Sequence, residues 1–180
     1  MRIDCGLCVI REWQTRDAEE LISAANNRKI WLNLQDRFPH PYTDADASSW
    51  FSHLQTTSEP SQWAIEVDGV AAGGIGVDLG EDIFVKTGHF GYWLGEHFWG
   101  RGIMSVAVRI ASQYCLNQYN LERLEAPVFS WNPASMRVLE KAGFVREAVL
   151  HKSAYKDGQL IDQVLYTLLR QREIRLSGLE

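Results

Sequence analysis

Gly100, Arg101 and Gly102 stand directly before a run in which Ile103, Val106, Ala107, Ile110 and Tyr114 recur at helical spacing. The first turn of a helix carries backbone N–H groups without intrahelical partners and the positive end of the macrodipole, and glycine lets a ligand approach that backbone closely. Glycines ahead of a helix therefore suggest an anion site, a pyrophosphate first of all, although plain turn chemistry uses the same residues. The dinucleotide fingerprint GxGxxG is not met, because Ser105 stands where its third glycine belongs, and no Gly-Lys-Ser or Gly-Lys-Thr marks a P-loop. Residues 89–94, just upstream, read as a strand, so the unit is strand, glycine turn, helix.

A second stretch, residues 132–144, reads as one helix with Asn132 ahead of it, Pro133 at its first position and Gly143-Phe144 as its stop. The sequences Gly91-Tyr92-Trp93-Leu94, Trp99-Gly100-Arg101-Gly102-Ile103-Met104 and Asn132 through Phe144 occur in this order. With them the chain resembles the GNAT family of acetyl-CoA-dependent N-acetyltransferases, and within it the ribosomal-protein N-terminal acetyltransferases of RimJ/RimL type. The resemblance runs over nearly the whole chain. It implies an α+β fold, a mixed and mostly antiparallel central sheet with helices on both faces, splayed between the fourth and fifth strands to admit the cofactor.

It also implies roles for individual residues. Backbone groups of Tyr92, Trp93 and Leu94 would pair with the pantetheine arm of acetyl-CoA, and an N–H of this strand would polarise the thioester carbonyl. Trp99, Gly100, Arg101, Gly102, Ile103 and Met104 would hold the pyrophosphate. His97 replaces the Gln or Arg that the family places three residues before the first glycine, with Arg101 supplying charge nearby. Asn132 is open to two readings, a helix cap or a pantetheine contact. Arg137 and Lys141 are candidates for outer phosphate contacts or members of a solvated face.

Acetyl transfer to an amine needs a fixed thioester, a neutral amine, donors for the developing oxyanion and a proton for the leaving thiolate. Many relatives supply that proton from a Tyr where this chain has Leu139. In the RimJ/RimL type the Ser of Asn-x-x-Ser is implied instead, here Ser135, whose hydroxyl would donate to a sulfur that ionises at about pKa 8 to 9. The alternative for Ser135 is a bond to nearby backbone. The family often carries Glu two residues before the glycine of Gly-Tyr-Trp-Leu, and here His89 stands there. An ordinary imidazole titrates at about 6.5 and can accept a proton directly or through water, although a strand histidine also serves structure alone. A second carboxylate seen in some relatives is replaced by Ala154 or its neighbour Tyr155. A weak base suits an α-amine, near pKa 8, better than a lysine amine near 10.4.

The elements that must position these groups follow from pattern. Residues 7–13 read as a first strand and Thr15 as the cap of a helix that buries Leu21, Ile22 and Ala25. Residues 28–34 form a short helix, broken by Phe38-Pro39-His40-Pro41-Tyr42, and Thr43 with Asp46 forms a capping box for a helix presenting Ala47, Trp50, Phe51 and Leu54. The resemblance makes this aromatic region one wall of the acceptor groove, with Trp31, Phe38, Tyr42 and Tyr155 as candidate acceptor contacts. Core packing serves the early aromatics equally, and is the reading given to Trp50. Residues 63–67 and 70–77 about Asp68-Gly69, and 144–151 and 161–169 about Asp157-Gly158, read as hairpins. Gly73, Gly74 and Gly76 mark a close backbone approach or a thinly packed strand. Residues 122–129 alternate with Leu124, Ala126 and Val128 inward, and the tail after Arg170 is expected to fray.

The composition suits one domain, residues 1–180, with a sizeable core. A formal charge of −5 argues against nucleic acid as the main partner, and no apolar run reaches membrane-span length. The first residues lack a signal-peptide pattern and the three cysteines complete no metal set, which suggests a cytoplasmic protein without metal, monomer or homodimer. The expected activity is transfer of acetyl from acetyl-CoA to a primary amine, a protein N-terminal α-amine first. The alternatives are a small amine such as an antibiotic, polyamine or amino acid, and an acyl-CoA-binding sensor domain that has lost catalysis.

Overall fold

Both Asp-Gly pairs make the two-residue turns that the sequence predicts, with positive φ at Asp68 (51°), Gly69 (84°), Asp157 (50°) and Gly158 (79°). Positive φ at both central residues gives a turn whose twist matches that of the flanking strands. In the computed structural model, which describes residues 1–56 and 60–171, these turns join β3 (Gln62–Val67) to β4 (Val70–Leu79), and β7 (Val145–Lys156) to β8 (Gln159–Leu169). The fraying tail expected after Arg170 lies, from residue 172, outside the described residues. The second hairpin is longer than its pattern suggested. β7 runs to Lys156 by absorbing register shifts at 146/148 and 150/154, with Lys152 at φ 51°.

The remaining strands are β1 (Arg2–Asp4), β2 (Val9–Arg11), β5 (Thr87–Leu94) and β6 (Arg123–Phe129). The described strands form one sheet in the order β1-β2-β3-β4-β5-β6-β8-β7. Every neighbour is antiparallel except β5 and β6. β5 stays paired with β4 from Gly88 to Leu94, but meets β6 only at Thr87↔Arg123, Gly88↔Leu124 and His89↔Glu125. Beyond that point β6 continues with β8 alone, to Phe129↔Gln163, and the two halves of the sheet part. Pro127, two residues past the last pair, has no N–H to offer a neighbouring strand. The parting falls between the fifth and sixth strands rather than the fourth and fifth, because β1 (Arg2–Asp4) adds a strand ahead of the expected first one, which is β2.

Helices cover both faces. Strand alternation sends Phe90, Tyr92 and Leu94 into the main core with α4 (Ile103–Gln118) and α5 (Pro133–Lys141), and Trp93 into a second cluster with α1 (Ala18–Ala25) and α3 (Asp44–Thr56). A single turn, α2 (Arg28–Trp31), lies between α1 and α3 in sequence. The face α4 buries differs from the expected one. It is Ile103, Met104, Ala107, Val108, Ala111, Ser112, Cys115 and Leu116, with Val106, Ile110 and Tyr114 only partly covered. Ala107, Ala111 and Ser112 are fully buried and small, so the helix axis can lie close to the sheet, a requirement that counting large apolar residues misses.

Thr15 is not a cap. A single 3₁₀ turn, Thr15–Asp17, leads into α1 and is capped at Gln14, whose amide donates to Asp17 (2.8 Å), while Asp17 also takes the buried Arg11 guanidinium on both oxygens (2.7 and 2.9 Å). Arg11 also donates Nε to Glu66 (2.5 Å), so one buried cation ties β2, α1 and β3 together. The Thr43–Asp46 capping box forms as expected, with the Thr43 amide on Asp46 Oδ2 at 2.8 Å and the Asp46 amide on Thr43 Oγ1 at 3.4 Å. Cysteines 5, 8 and 115 are free thiols, and no cluster of three metal-ligating groups occurs among the described residues. No helix among them is long and apolar enough to cross a membrane.

Removing Asp17 leaves the buried Arg11 with Glu66 as its one carboxylate partner, so Asp17→Ala should destabilise the fold by about 3 kcal/mol, the lower end for a broken buried pair, in denaturant titrations. Acid should weaken the same joint. The hydrogen bond from Arg11 holds the Glu66 carboxyl below its ordinary range, so its contribution is complete above that range and is lost as pH falls through the depressed value. Thermal unfolding followed by circular dichroism should accordingly show midpoints falling below about pH 4, and falling less steeply in Glu66→Gln.

Candidate active site

Two clefts open where β5 and β6 part. The smaller, of about 440 Å³, lies toward the start of α4 and is lined by Tyr92, Trp93, Leu94, Trp99, Gly100, Gly102, Ile103, Met104, Asn132, Ser135 and Arg137, together with Lys29 and Lys141. The larger, of about 930 Å³, opens toward α1 and α3. Both include Tyr92, Trp93, Asn132 and Ser135 in their walls, so they meet at one constriction between the parted strands.

The smaller cleft has the electrostatics of an anion site. Its lining contains Lys29, Arg137 and Lys141 and no aspartate or glutamate. Lys29 is shared with Glu96, whereas Arg137 and Lys141 form no ion pair among the described residues. Gly102 caps α4 at φ 79° with no side-chain acceptor on the first amides, and Gly100 sits at φ 75°. An added Cβ would meet nothing at Gly100 and only Leu7 at 3.8 Å at Gly102. These glycines are therefore required by the left-handed turn that aims the helix amides, not by lack of room. The edge of β5 beyond His89 that faces away from β4 has no strand partner. Leu94 is an exception to a free edge, since its carbonyl accepts from the Trp99 indole (2.7 Å).

Arg101 departs from its expected place. It is absent from the cleft wall, lies over the Phe98 ring and reaches Asp68 on the β3–β4 turn at 3.5 Å. His97 packs edge-on against Phe98 and is likewise outside the wall.

At the constriction, α5 begins with the Asn132 side chain accepting from the Ser135 amide (3.1 Å), the capping reading of Asn132. That bond uses Oδ1, and Asn132 still faces both clefts. Ser135 Oγ is engaged by the Tyr92 hydroxyl at 2.8 Å, and the same phenol lies 3.2 Å from the Ser135 carbonyl. Burial pushes the Tyr92 phenol well above its ordinary pKa, only partly opposed by the Ser135 bond, so it stays protonated at neutral pH and keeps a hydrogen to donate, to Ser135 Oγ or to the Ser135 carbonyl. When the phenol donates to Ser135 Oγ, the serine keeps its own proton to donate elsewhere. Leu139, one turn on, is fully buried and offers no polar atom.

His89 stands at the closed end of the parting, exposed into the larger cleft, with Nδ1 3.7 Å from Glu125 Oε2. Glu125 accepts from Arg123 Nε (2.7 Å), and Arg123 grips Glu147 through both terminal nitrogens (2.9 and 2.7 Å). This fork pins the last β5–β6 pair. Among the candidate acceptor contacts, Phe38 and Tyr42 line the larger cleft, Phe38 packing on Trp93 at 5.5 Å and on Tyr42 at 5.2 Å. Trp31 and Tyr155 do not line it. The Trp31 ring carries the buried Lys156 ammonium at 3.7 Å, and Tyr155 is 68% exposed on β7 opposite Leu160.

Three features of the walls were missed in the sequence. The side chain of Tyr92 is one, because the resemblance implies a role for its backbone alone. Trp50 is another, read as core but only partly buried and open to the larger cleft. Lys29 is the third. Alternation along β5 would have flagged Trp93 on the face of His89, and Tyr92 on the opposite face toward α5. Gly74 answers to that alternation, since a Cβ there would stand 2.7 Å from the Trp93 indole nitrogen, and at Gly73 it would meet the Trp93 carbonyl at 2.3 Å.

Residues 8–145 match the model of the acetyltransferase (GNAT) domain. The probable N-acetyltransferase YjcK of Bacillus subtilis (strain 168) is 39% identical over 85 residues, 47% of this chain and 47% of that protein. The chain thus spans about half the length of this relative. The L-amino acid N-acetyltransferase AaaT of Escherichia coli (strain K12) is 26% identical over 157 residues, covering 86% of this chain and 93% of that protein. Among solved structures, the ribosomal L7/L12 alpha-N-protein acetyltransferase RimL in complex with coenzyme A superposes with a TM-score of 0.82 at 20% identity, over 94% of this chain and 98% of that one. With its family model matched from strand β2 into β7, and a mostly antiparallel sheet parted beside a glycine-led helix, the chain belongs to the GNAT acetyltransferase family.

Proposed function

We propose that this protein is an acetyl-CoA-dependent N-acetyltransferase of RimJ/RimL type, with a protein N-terminal α-amine as its first acceptor. The observation that carries the reading is the meeting of an acid-free, cation-bearing cleft and a second, roomier cleft at Tyr92 and Ser135. A transferase that joins two substrates needs two such entrances to one reacting point. The likeness to AaaT, an L-amino acid N-acetyltransferase, supports a small-amine acceptor as the second reading.

The smaller cleft fits coenzyme A. The amides at Gly102, Ile103 and Met104, with Arg137 and Lys141, would hold its phosphates, and the unpaired edge of β5 at Tyr92 and Trp93 would hold the amide-rich arm. Bound there, acetyl-CoA supplies an activated acetyl group whose C–S bond breaks as the amine's N–C bond forms. His89 takes the proton the amine must lose, directly or through water. Ser135, its oxygen held by the protonated Tyr92, donates its hydrogen toward the sulfur as negative charge develops. Glu125 and Arg123 keep the end of the parting, and with it His89, in place.

In activity assays by thiol release, Ser135→Ala and Tyr92→Phe should each lower kcat by about tenfold, the worth of one hydrogen bond made in the transition state, with little change in KM for acetyl-CoA. His89→Gln should lose a larger factor, about a hundredfold, and abolish the acidic limb of the pH–rate profile at which a histidine base gains its proton. An unchanged limb would remove His89 from the base role. Arg137→Ala and Lys141→Ala should weaken coenzyme A binding in calorimetry several-fold each, roughly, by an amount that shrinks as salt is raised.

A further inference from the structure

The larger cleft is walled by aromatic rings that are covered on one side only. Trp13, Phe38, Trp50 and Trp93 back onto the second hydrophobic cluster of Leu21, Ala25, Tyr42, Ala47 and Phe51, and remain partly exposed where they line the cleft. Apolar surface left facing a cleft is a standing gain for any ligand that covers it.

Most of the acidic charge in the same cleft is paired with cations of the protein. Three lining residues are acidic, Glu12, Asp46 and Asp78. Glu12 accepts from the Met1 amine at 2.6 Å. Asp46 is taken by the amide (2.8 Å) and hydroxyl (2.6 Å) of Thr43 in its capping box, and these bonds lower its carboxyl pKa. Asp78 holds Arg37 Nη2 at 2.6 Å and Gln62 Nε2 at 3.0 Å. A polycation entering here finds two of the three carboxylates, Glu12 and Asp78, already paired with a cation of the protein, and only Asp46, held by the neutral groups of Thr43, left to offer charge.

From the half-covered rings, and from the pairing of two of the three carboxylates with cations, we infer that the acceptor is a singly charged amine bearing a large apolar or aromatic group, and that polyamines are disfavoured. This rests on the acetyl-transfer reading above and names its acceptor class. The amine nitrogen would be acylated at the constriction while the apolar group covers Phe38, Trp50 and Trp93. An aromatic first residue of a peptide and a free aromatic amine share this chemistry.

The test measures kcat/KM at saturating acetyl-CoA, by thiol release, for L-phenylalaninamide, glycinamide, spermidine, and two peptides identical except for phenylalanine or glycine at the N-terminus. We expect each phenylalanine compound to exceed its glycine counterpart at least tenfold, with spermidine below L-phenylalaninamide. The peptide preferred over the free amide identifies a protein N-terminus as the source, and the reverse identifies a small amine. Trp50→Ala should shrink the phenylalanine-to-glycine ratio through KM. Arg37→Gln, a change at an exposed side chain, should free Asp78 and raise spermidine turnover relative to the parent. Turnover that favours glycine compounds or spermidine in the parent protein overturns the inference and leaves acetyl transfer standing. Absence of thiol release with every amine removes the acetyl-transfer reading and this inference together.

Discussion

Parting of β5 from β6 after three residue pairs is the constraint on which the site depends. A fully paired sheet would satisfy every backbone group of β5 and leave no passage between its faces. Here β4 holds β5 straight to Leu94, β8 holds β6 to Phe129, and the two strands separate past His89 and Glu125. The exposed edge that results is costly in an ordinary sheet and useful where an amide-bearing ligand can occupy it. Arg123, forked onto Glu125 and Glu147, fixes where the separation begins. The glycine-led start of α4 and the Asn132-capped start of α5 then face the gap from one side of the sheet, while the α1–α3 cluster faces it from the other.

The two clefts are complementary in charge. One gathers three cations and no carboxylate about helix amides. The other has its carboxylates engaged by an ammonium, a capping threonine, an arginine and an amide, and presents aromatic rings instead. Net charge of the chain predicts neither pattern, since an acidic total of −5 coexists with the cationic pocket. Local pairing decides what a ligand meets.

Between the clefts, Tyr92 and Ser135 form the polar centre, one on a strand and one on a helix 43 residues apart in sequence. Leu139 contributes only packing where many relatives are implied to carry a tyrosine. In this chain the phenol that meets Ser135 comes instead from β5, and its burial keeps it protonated. That one hydrogen bond ties strand β5 to the start of α5.

Much of this was legible in the residues alone. Asp-Gly turns, the Thr43–Asp46 box, Pro133 after a capping Asn132, and the alternation of Leu124, Ala126 and Val128 are local signals. Each depends on a few adjacent residues and on φ/ψ preferences that tertiary contacts did not override. The motifs also placed Gly100, Gly102, Ile103, Met104, Asn132, Ser135 and Arg137 on one cleft wall. What tertiary structure alone decided was direction and partnership. Arg101 turned to Asp68, Trp31 to Lys156, Asp17 to the buried Arg11, and α4 buried small residues in place of Val106 and Ile110. The pairing of Tyr92 with Ser135 belongs to the same class, because a side chain's partner across a sheet is set by register and the angle between elements. Spacing along the chain carries no record of either.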